Sequence, residues 1–273
     1  MRVLYGIITY NKNMSHHSFD FKGRKFDLVL EKYIDLKEIN PHTKKEISQD
    51  IHRLLANCWG SFPEDFVEQH IFFGDKMIVA IINGKCIGLC VMSIKEVFGL
   101  KIHYIEFLLV DKDFQQGGLG SFLSFKILKD ELVNNFAYLL LGKSLEIFFI
   151  TPNIRVLSHA TKFASFVYPN PYLANNDGQV ELADQQTWEI ALELLKRSDN
   201  PYRDLNREGL VLTGSYSNTP WLIYNNDNAP WHSNDKINLF AKRYLGYHSG
   251  QDKELMVRLN INLFSVIKYL FKK

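Results

Sequence analysis

The segment from Val110 to Leu123, VDKDFQQGGLGSFL, joins a strand-like pattern to a helix-like pattern. Before it, Ile102 to Val110 (IHYIEFLLV) is a short apolar run that is typical of a buried strand. After it, apolar residues recur at helical spacing from Leu119 towards Val133. A glycine-rich turn, QQGGLG at residues 115–120, lies between the two patterns. The sequence therefore predicts a strand that passes through this turn directly into a helix.

A turn of this kind is suited to binding an anion. The N–H groups of the first helical turn have no partner within the helix, and they point outward at the positive end of the helix dipole. A phosphate or pyrophosphate can bind there. Glycines allow the anion to approach the backbone closely, and they tolerate positive φ where the turn requires it.

The order of residues excludes two well-known phosphate loops. A P-loop requires Lys and then Ser or Thr directly after its last glycine, but Gly120 is followed by Ser121 and Phe122. A dinucleotide-binding fingerprint requires Gly-x-Gly-x-x-Gly, an order that this turn lacks. The pattern that fits is Gln/Arg-x-x-Gly-x-Gly/Ala, which Gln115, Gly118 and Gly120 satisfy.

With the strand before it, ending in Val110-Asp111, and the helix after it, this pattern resembles the acyl-CoA signature of the GNAT-type N-acetyltransferase superfamily. The resemblance covers roughly Phe26 to Pro169. It implies an α/β (α+β) protein with the GNAT-type fold, in which helices flank a mixed, bent β-sheet. The chain after Pro169 is then a C-terminal extension.

The composition indicates a folded protein with a packed core, and it argues against nucleic-acid-binding, zinc-binding, secreted and membrane-spanning classes. The chain has 273 residues, 46% hydrophobic and 14% aromatic, which is ample for a packed core. A formal net charge of +2 gives no electrostatic argument for nucleic acid as a partner. The cysteines form no zinc pattern, no stretch resembles a signal peptide, and no apolar run is long enough to span a membrane. We therefore expect a cytoplasmic protein without a metal.

The first part of the chain predicts an N-terminal extension and then the start of the core. Arg2 to Tyr10 has a strand pattern, and a polar turn with His16 and His17 is expected at Asn11 to Ser18. Phe26 to Ile34 predicts the first core strand. A helix is expected over residues 42–57 and a second one from Pro63 to Phe72.

Strands follow these helices. Met77 to Ile82 and Lys85 to Lys95 flank Asn83-Gly84, which favours a tight hairpin turn, and Phe98-Gly99 predicts the next turn. After the glycine-rich turn and its helix come a strand, Leu145 to Ile150, and a helix, Arg155 to Phe166. This is the element order of the GNAT-type fold.

The pattern divides the chain into a strand or hairpin extension at residues 1–25, an acyl-CoA-binding core at 26–169, and a lobe at 170–273 that completes the acceptor site. In this lobe, Thr187 to Arg197 predicts a helix and Leu210 to Gly214 a strand. Leu255 to Phe271 is expected to be a closing strand or helix, or else a segment on a membrane surface.

The resemblance implies which residues bind acyl-CoA. The backbone N–H groups of the turn would hold the pyrophosphate, that is, those of Gln116, Gly117, Gly118, Leu119, Gly120 and Ser121. The backbone of Leu108, Leu109 and Val110 would pair with the pantetheine amides. Gln115 stands where the family has Arg or Gln, and Asn153 matches an asparagine that commonly contacts the cofactor.

Transfer to an amine requires a base, and Glu106 is the carboxylate inside the strand before the turn. It shares a strand face with Leu108 and Val110. Carboxylates on this face act as the base in several branches of the family. A structural ion pair is the alternative role for Glu106, and His103 and Tyr104 are further candidates for the base.

The general acid is less defined. Many relatives have a tyrosine that protonates the leaving thiolate at the position of Ala160. Here His159, Tyr168 or a residue of the C-terminal lobe would take this role, or the thiolate of coenzyme A would leave directly.

The sequence therefore predicts a cytoplasmic acyl-CoA N-acyltransferase that uses acetyl-CoA or a longer acyl-CoA. The acceptor is a primary amine of a small molecule. An aromatic loop with Trp221, Tyr224 and Trp231 indicates a partly apolar or sugar-like acceptor, although a homodimer contact would show the same pattern. The alternatives are a carrier-protein-dependent N-acyl amino acid synthase and a catalytically silent CoA-binding sensor.

Overall fold

The structure, a computed structural model, describes residues 13–58, 60, 62, 65, 67, 71–198, 204–215 and 223–270. The strand predicted at Arg2 to Tyr10, the body of the helix predicted from Pro63, and Trp221 lie outside these residues. The chain divides into two compact units, the first formed by residues 1–93 and 106–130 and the second by 94–105 and 131–273. The sequence-based domain bounds remain a prediction.

In the first unit, four strands pair in the order β1-β2-β3-β4. They are β1 (Asn13–Phe21), β2 (Arg24–Ile34), β3 (Lys76–Ile82) and the first part of β4 (Lys85–Val97). β1 pairs with β2, β2 with β3 and β3 with β4, and all three pairings are antiparallel. The hairpin turn at Asn83-Gly84 is confirmed, and both residues have positive φ.

Helices α1 (Pro41–Cys58) and α2 (Leu119–Asn134) complete the first unit, although the last residues of α2 belong to the second. The apolar stripe of α1 packs on the sheet because Ile51, Leu54 and Leu55 are buried against β3 and β4 side chains such as Val79. The predicted helix at residues 42–57 is thereby confirmed.

In the second unit, the strand order is β5-β6-β10-β9-β8, and β7 also pairs with β10. The strands are β5 (Leu100–Val110, whose last part lies in the first unit), β6 (Leu145–Thr151), β7 (Phe166–Tyr168), β8 (Asp204–Asn206), β9 (Val211–Thr213) and β10 (Lys253–Ile261). β5 and β6 pair in parallel, whereas the β10 pairings are antiparallel.

The helices of the second unit are α3 (Phe136–Leu140), α4 (Ile154–Ala160), α5 (Gln185–Lys196), α6 (Asp235–Leu245) and α7 (Leu263–Leu270). Ile190, Ala191 and Leu194 of α5 pack against Phe148 and Met256 of the sheet. The mixed sheet flanked by helices, with its C-terminal extension, confirms the predicted GNAT fold. No helix among the described residues is long and apolar enough to cross a membrane.

Two sequence-based assignments were wrong in detail. The predicted polar turn before Ser18 is part of β1, because its backbone pairs with β2 residue by residue. The predicted helix ending at Phe166 stops at Ala160, because Phe166–Tyr168 pairs with β10 as a strand. The segment from Leu255, predicted to be a closing strand or helix, contains one of each: the end of β10 and then α7.

Candidate active site

The glycine-rich turn adopts the predicted position between the end of β5 and the start of α2 at Leu119. Two of its residues have positive φ, Gln116 at 69° and Gly118 at 80°. A Cβ added at Gly118 would meet no atom within 4 Å, so the backbone is open on that side. A Cβ added at Gly120 would lie 3.6 Å from the side chains of Leu108 and Val110. The first turn of α2 therefore lies over the β5 face that carries these two residues.

Phe21, at the end of β1, packs on this turn and was not singled out from the sequence. A Cβ added at Gly117 would overlap the Phe21 ring, which means that the ring lies directly against the Gly117 backbone. The Phe114 ring packs against two aromatic rings, with its centroid 5.4 Å from that of Phe21 and 5.8 Å from that of Phe26. Only the pairing of β1 with β2 brings Phe21 here, so local sequence gave no signal for it.

Asp111 fixes the end of β5. Its side chain is buried and accepts hydrogen bonds from the Asp113 N–H at 3.1 Å and from Asn57 at 3.4 Å. The Lys85 ammonium lies 3.0 Å from it. Burial opposes ionisation, but the Asp113 N–H and Lys85 outweigh burial and hold the pKa of this carboxyl below its usual value. Asp111 is therefore a charged anchor for the turn.

Close contact between α2 and the sheet depends on Gly88 in β4. A Cβ there would lie 3.1 Å from the Leu109 carbonyl oxygen and 3.1 Å from Leu123 of α2. A methyl group at this position would require these neighbours to move by a few tenths of an ångström. The absence of a side chain at Gly88 therefore allows the start of α2 to pack closely on β4 and β5.

The Val110 carbonyl is already hydrogen-bonded within the protein. It accepts from the Cys58 thiol and from Gln115 Nε2, each at 3.1 Å. Burial, followed by the nearby Asp111 charge, raises the pKa of Cys58 to about 11. The thiol is therefore protonated at neutral pH and acts as a donor rather than as a nucleophile. Gln115 is exposed, and its side chain is turned back towards β5.

Glu106 lies in β5 on the face of Leu108 and Val110, as the alternation predicts. Its side chain is partly exposed. The defined pairing of β5 with β6 joins Ile102–Ile105 to Glu146–Phe149, and Glu106 is the first residue beyond it. The assignment of Glu106 as the base remains a prediction.

His103 has a structural environment. Its side chain is buried, with Nε2 3.0 Å from Glu131 Oε2 and Nδ1 3.3 Å from the Glu146 carbonyl oxygen. Lys101 also contacts Glu131, at 3.0 Å. Tyr104 is buried in the core of the second unit, with the Lys95 ammonium 4.1 Å from its ring centre. Both side chains are used in holding this unit together.

Asn153 is the N-cap of α4. Its Oδ1 accepts from the Arg155 N–H at 2.9 Å, and its own N–H donates to Thr151 Oγ1 at 3.1 Å. This use of Oδ1 leaves the Nδ2 amide to contact a ligand. The cofactor contact that the resemblance implies for Asn153 remains a prediction.

The two candidates for the general acid are placed in the second unit. Tyr168 donates from its hydroxyl to the Glu181 carbonyl at 2.8 Å and accepts from the Gly209 N–H at 3.1 Å, and burial raises its pKa to about 12. His159 is half-buried, and its Nε2 has no hydrogen-bond partner among the described residues. Burial, with a smaller effect of Lys162, lowers the pKa of His159. The imidazole is therefore neutral at neutral pH.

Tyr247 organises the turn before α4 and was also missed by sequence reasoning. Its hydroxyl donates to the Pro152 carbonyl at 2.6 Å and accepts from the Ile154 N–H at 3.1 Å. Tyr224 and Trp231, two of the predicted acceptor-loop aromatics, pack edge-on against its ring. The Arg155 side chain binds the Trp231 carbonyl at 2.7 Å. These aromatics are thus part of a packed cluster.

Ser158 lies within hydrogen-bond distance of a histidine, as a catalytic serine would, but the arrangement does not activate it. Its hydroxyl lies 3.1 Å from His232 Nε2 and 2.9 Å from the Tyr172 hydroxyl. The other ring nitrogen of His232 accepts from the Asn234 N–H at 3.0 Å, so Nε2 carries the proton and donates to Ser158. His232 cannot act as a base towards Ser158 in this arrangement. Among the described residues, no group of His, Cys, Asp and Glu side chains is arranged to hold a metal ion.

Comparison with known proteins supports the interpretation of this segment. Residues 48–135 match the family described as Acetyltransferase (GNAT) family. No curated protein sequence matches the chain at a significant level. Solved structures with similar chain traces include a GNAT family acetyltransferase from Streptococcus pneumoniae, at 19% identity and a TM-score of 0.28, where the match covers 37% of this chain and 66% of that one.

Two further solved structures were found with bound ligands. Naa50 of Arabidopsis thaliana with a bisubstrate analogue shows 18% identity and a TM-score of 0.35, covering 54% of this chain and 91% of that one. An aminoglycoside N-acetyltransferase in complex with CoA shows 18% identity and a TM-score of 0.31, covering 42% and 75%. At this level of similarity neither structure determines a substrate.

The family match includes β3, β4, β5, the glycine-rich turn and all of α2, which are the turn and the strands and helix around it. The resemblance recognised from the sequence is thereby confirmed: residues 48–135 match the family of GNAT acetyltransferases, enzymes that use acetyl-CoA.

Proposed function

We propose that this protein is an acyl-CoA N-acyltransferase that moves an acetyl or longer acyl group to a primary amine of a small molecule. The observation that carries the proposal is the corner formed by Gln115 to Ser121. Positive φ at Gln116 and Gly118, followed by the start of α2, is the kind of backbone that presents successive N–H groups to an anion. The open side of Gly118 provides the space that a pyrophosphate needs.

In this proposal the main contacts to acyl-CoA come from backbone groups of the protein. The N–H groups of Gln116 to Ser121 hold the pyrophosphate, and β5 pairs with the pantetheine amides as an added strand would. A carbonyl oxygen has two lone pairs, and that of Val110 already accepts two hydrogen bonds. Pairing with pantetheine therefore falls to the remaining backbone groups of Leu108, Leu109 and Val110.

Glu106 is our candidate for the base. A protonated amine has no lone pair for attack, so its proton passes to the Glu106 carboxylate, directly or through water. The amine nitrogen then attacks the thioester carbonyl carbon. A C–N bond forms, the C–S bond breaks, and the sulfur leaves with the bonding electrons. The second proton of the attacking nitrogen passes to solvent or to the departing thiolate, which leaves a neutral amide and coenzyme A. Backbone N–H donors of β5 stabilise the oxyanion that develops on the carbonyl.

The leaving thiolate needs no side-chain acid in this mechanism. His159 is neutral because its pKa is lowered, and Tyr168 holds its proton with a pKa of about 12 while its hydroxyl is bonded to backbone groups. The thiolate of coenzyme A is a good leaving group. Cys58, the cysteine next to the corner, is a protonated thiol, so attack by the amine takes place without a cysteine-bound intermediate.

The experiment that tests the proposal is free-thiol release from acetyl-CoA with a panel of amines, amino sugars and peptides. We expect at least one small amine to support turnover. Replacing Glu106 by Gln should lower kcat by about a hundredfold or more, with little change in the KM for acetyl-CoA. Glu96→Gln is a matched control, because Glu96 is an exposed carboxylate at the end of β4.

Three results would contradict the proposal. An absence of measurable CoA binding would remove the role of the glycine-rich corner. Equal rates for Glu106→Gln and wild type would remove the role of Glu106 as the base. CoA binding without thiol release for any amine would favour the silent CoA-binding sensor instead.

A further inference from the structure

Helices α3 and α7 of the second unit contact each other and carry large apolar side chains that are exposed to solvent. Leu141, directly after α3, is 79% exposed, and Phe264 in α7 is 73% exposed. We call this set the apolar face: Phe136, Leu140, Leu141, Phe264 and Ile267.

The exposed side chains of α7 belong to a well-anchored helix. Asn262 and Ser265 cap it reciprocally, since the Ser265 N–H donates to Asn262 Oδ1 at 2.8 Å and the Asn262 N–H donates to Ser265 Oγ at 3.2 Å. Ser265 is buried, whereas Phe264, Ile267 and Lys268 share the opposite, exposed face at helical spacing. The exposure therefore follows from how the helix is oriented and not from fraying at its start.

The two stretches of sequence that carry the apolar face contain positive charges and no negative ones. The sequence has no Asp or Glu from Leu132 to Leu145 or from Leu255 to Lys273. Lys143 and Lys268 are exposed in these two stretches. The nearest acid before the first stretch, Glu131, is buried against His103 and Lys101. Lys272 and Lys273 add to the positive charge of the sequence.

We propose that the apolar face docks the protein onto an anionic lipid bilayer. Aromatic and aliphatic side chains next to lysines are the combination that lies at the boundary between headgroups and acyl chains. Each lysine near an anionic surface adds attraction, and no exposed acid in the two stretches opposes it. A contact between two copies of this face would instead bring lysines of both copies together, which is unfavourable.

The test is co-sedimentation of the full chain with vesicles of two compositions. One is phosphatidylcholine alone, and the other contains equal molar amounts of phosphatidylcholine and phosphatidylglycerol. We expect binding to the second kind, weakened by added salt. Lys268→Gln should weaken it about fivefold, and Phe264→Ser and Leu141→Ser about tenfold each. All three sites are exposed, so the variants should unfold at the wild-type temperature.

Leu173→Ser is the matched control, because Leu173 is 78% exposed and lies outside α3 and α7. It should bind vesicles like the wild type. Equal binding by Phe264→Ser and the wild type, or no binding to the anionic vesicles, would overturn the proposal. A concentration-dependent dimer in sedimentation velocity that Phe264→Ser abolishes, with vesicle binding absent, would show that the face joins two copies of the chain.

Discussion

At Gly117, the missing side chain is what allows the Phe21 ring to touch the glycine-rich turn. The neighbouring Gly118 has a different requirement, since its φ of 80° disfavours any L-residue although the space beside it is open. The glycines of one motif thus serve different physical purposes. One makes room for a packed ring from β1, and the other permits the positive φ of the turn.

These two requirements can be separated by a double-mutant cycle. Gly117→Ala should lower the free energy of unfolding by roughly 1 to 3 kcal/mol, because the new methyl group overlaps the Phe21 ring. In a Phe21→Ala background the additional loss should be much smaller, because the ring is absent. Denaturant unfolding of the four proteins measures the coupling.

Gly118→Ala is the control for this cycle. Its cost of about 1 kcal/mol comes from backbone conformation, so it should be the same with or without the Phe21 ring. Additive losses for Gly117→Ala and Phe21→Ala would mean that the ring does not rest on the turn.

At the level of single elements, α4 depends on a tyrosine from a distant part of the chain. This helix has only seven residues, Ile154–Ala160, and short helices are marginal without tertiary support. Asn153 caps it locally, while the Tyr247 hydroxyl binds backbone groups on both sides of Asn153, at Pro152 and Ile154. The position of Asn153 therefore depends on the segment that follows α6.

Tyr247→Phe should lower the free energy of unfolding by about 1 to 3 kcal/mol, because it leaves two buried backbone groups without their partner. The aromatic packing with Tyr224 and Trp231 would be kept, so the loss reports the hydroxyl alone. Denaturant unfolding measures it. Tyr138→Phe, at an exposed site on α3, should change the stability by less than about 0.5 kcal/mol. A similar loss in both variants would show that the Tyr247 hydroxyl has no special role.

At the scale of the whole chain, β10 links residues that are far apart in sequence. It pairs with β6, β7 and β9. Its buried Arg258 donates from Nε to Glu146 at 2.9 Å and from Nη1 to Thr187 Oγ1 at 2.6 Å. The second unit is thus closed by a strand near the end of the sequence, and the ion pair joins β10 to β6 while Thr187 connects it to α5.

Removing one partner of this pair should be costly. Arg258→Ala leaves Glu146 without its cation, and we expect a loss of about 3 to 5 kcal/mol in the free energy of unfolding. Replacing both partners, as Arg258→Met with Glu146→Leu, should restore a large part of this loss because no buried charge is left unpaired. Calorimetry or denaturant unfolding compares the variants, and a double variant that is no more stable than Arg258→Ala would contradict the assignment.

The sequence by itself determined the local elements and the position of the glycine-rich turn between β5 and α2. Period-2 and helical patterns predicted most strands and helices from β2 to α2, and the glycine spacing predicted where β5 would turn into α2. These features depend on residues that are close in the chain, since backbone conformation, capping and turn type are local properties. The family resemblance depended on the same short segment.

Only the tertiary structure decided which distant residues support that corner and which candidates for catalysis are already in use. Phe21 reaches Gly117 through the pairing of β1 with β2, and Tyr168 is drawn into a strand by β10. Neither contact leaves a signal in local sequence, because strand pairing is made by backbone groups that every residue possesses. Burial likewise sets the protonation of His159 and Cys58, and it arises only when separate parts of the chain pack together.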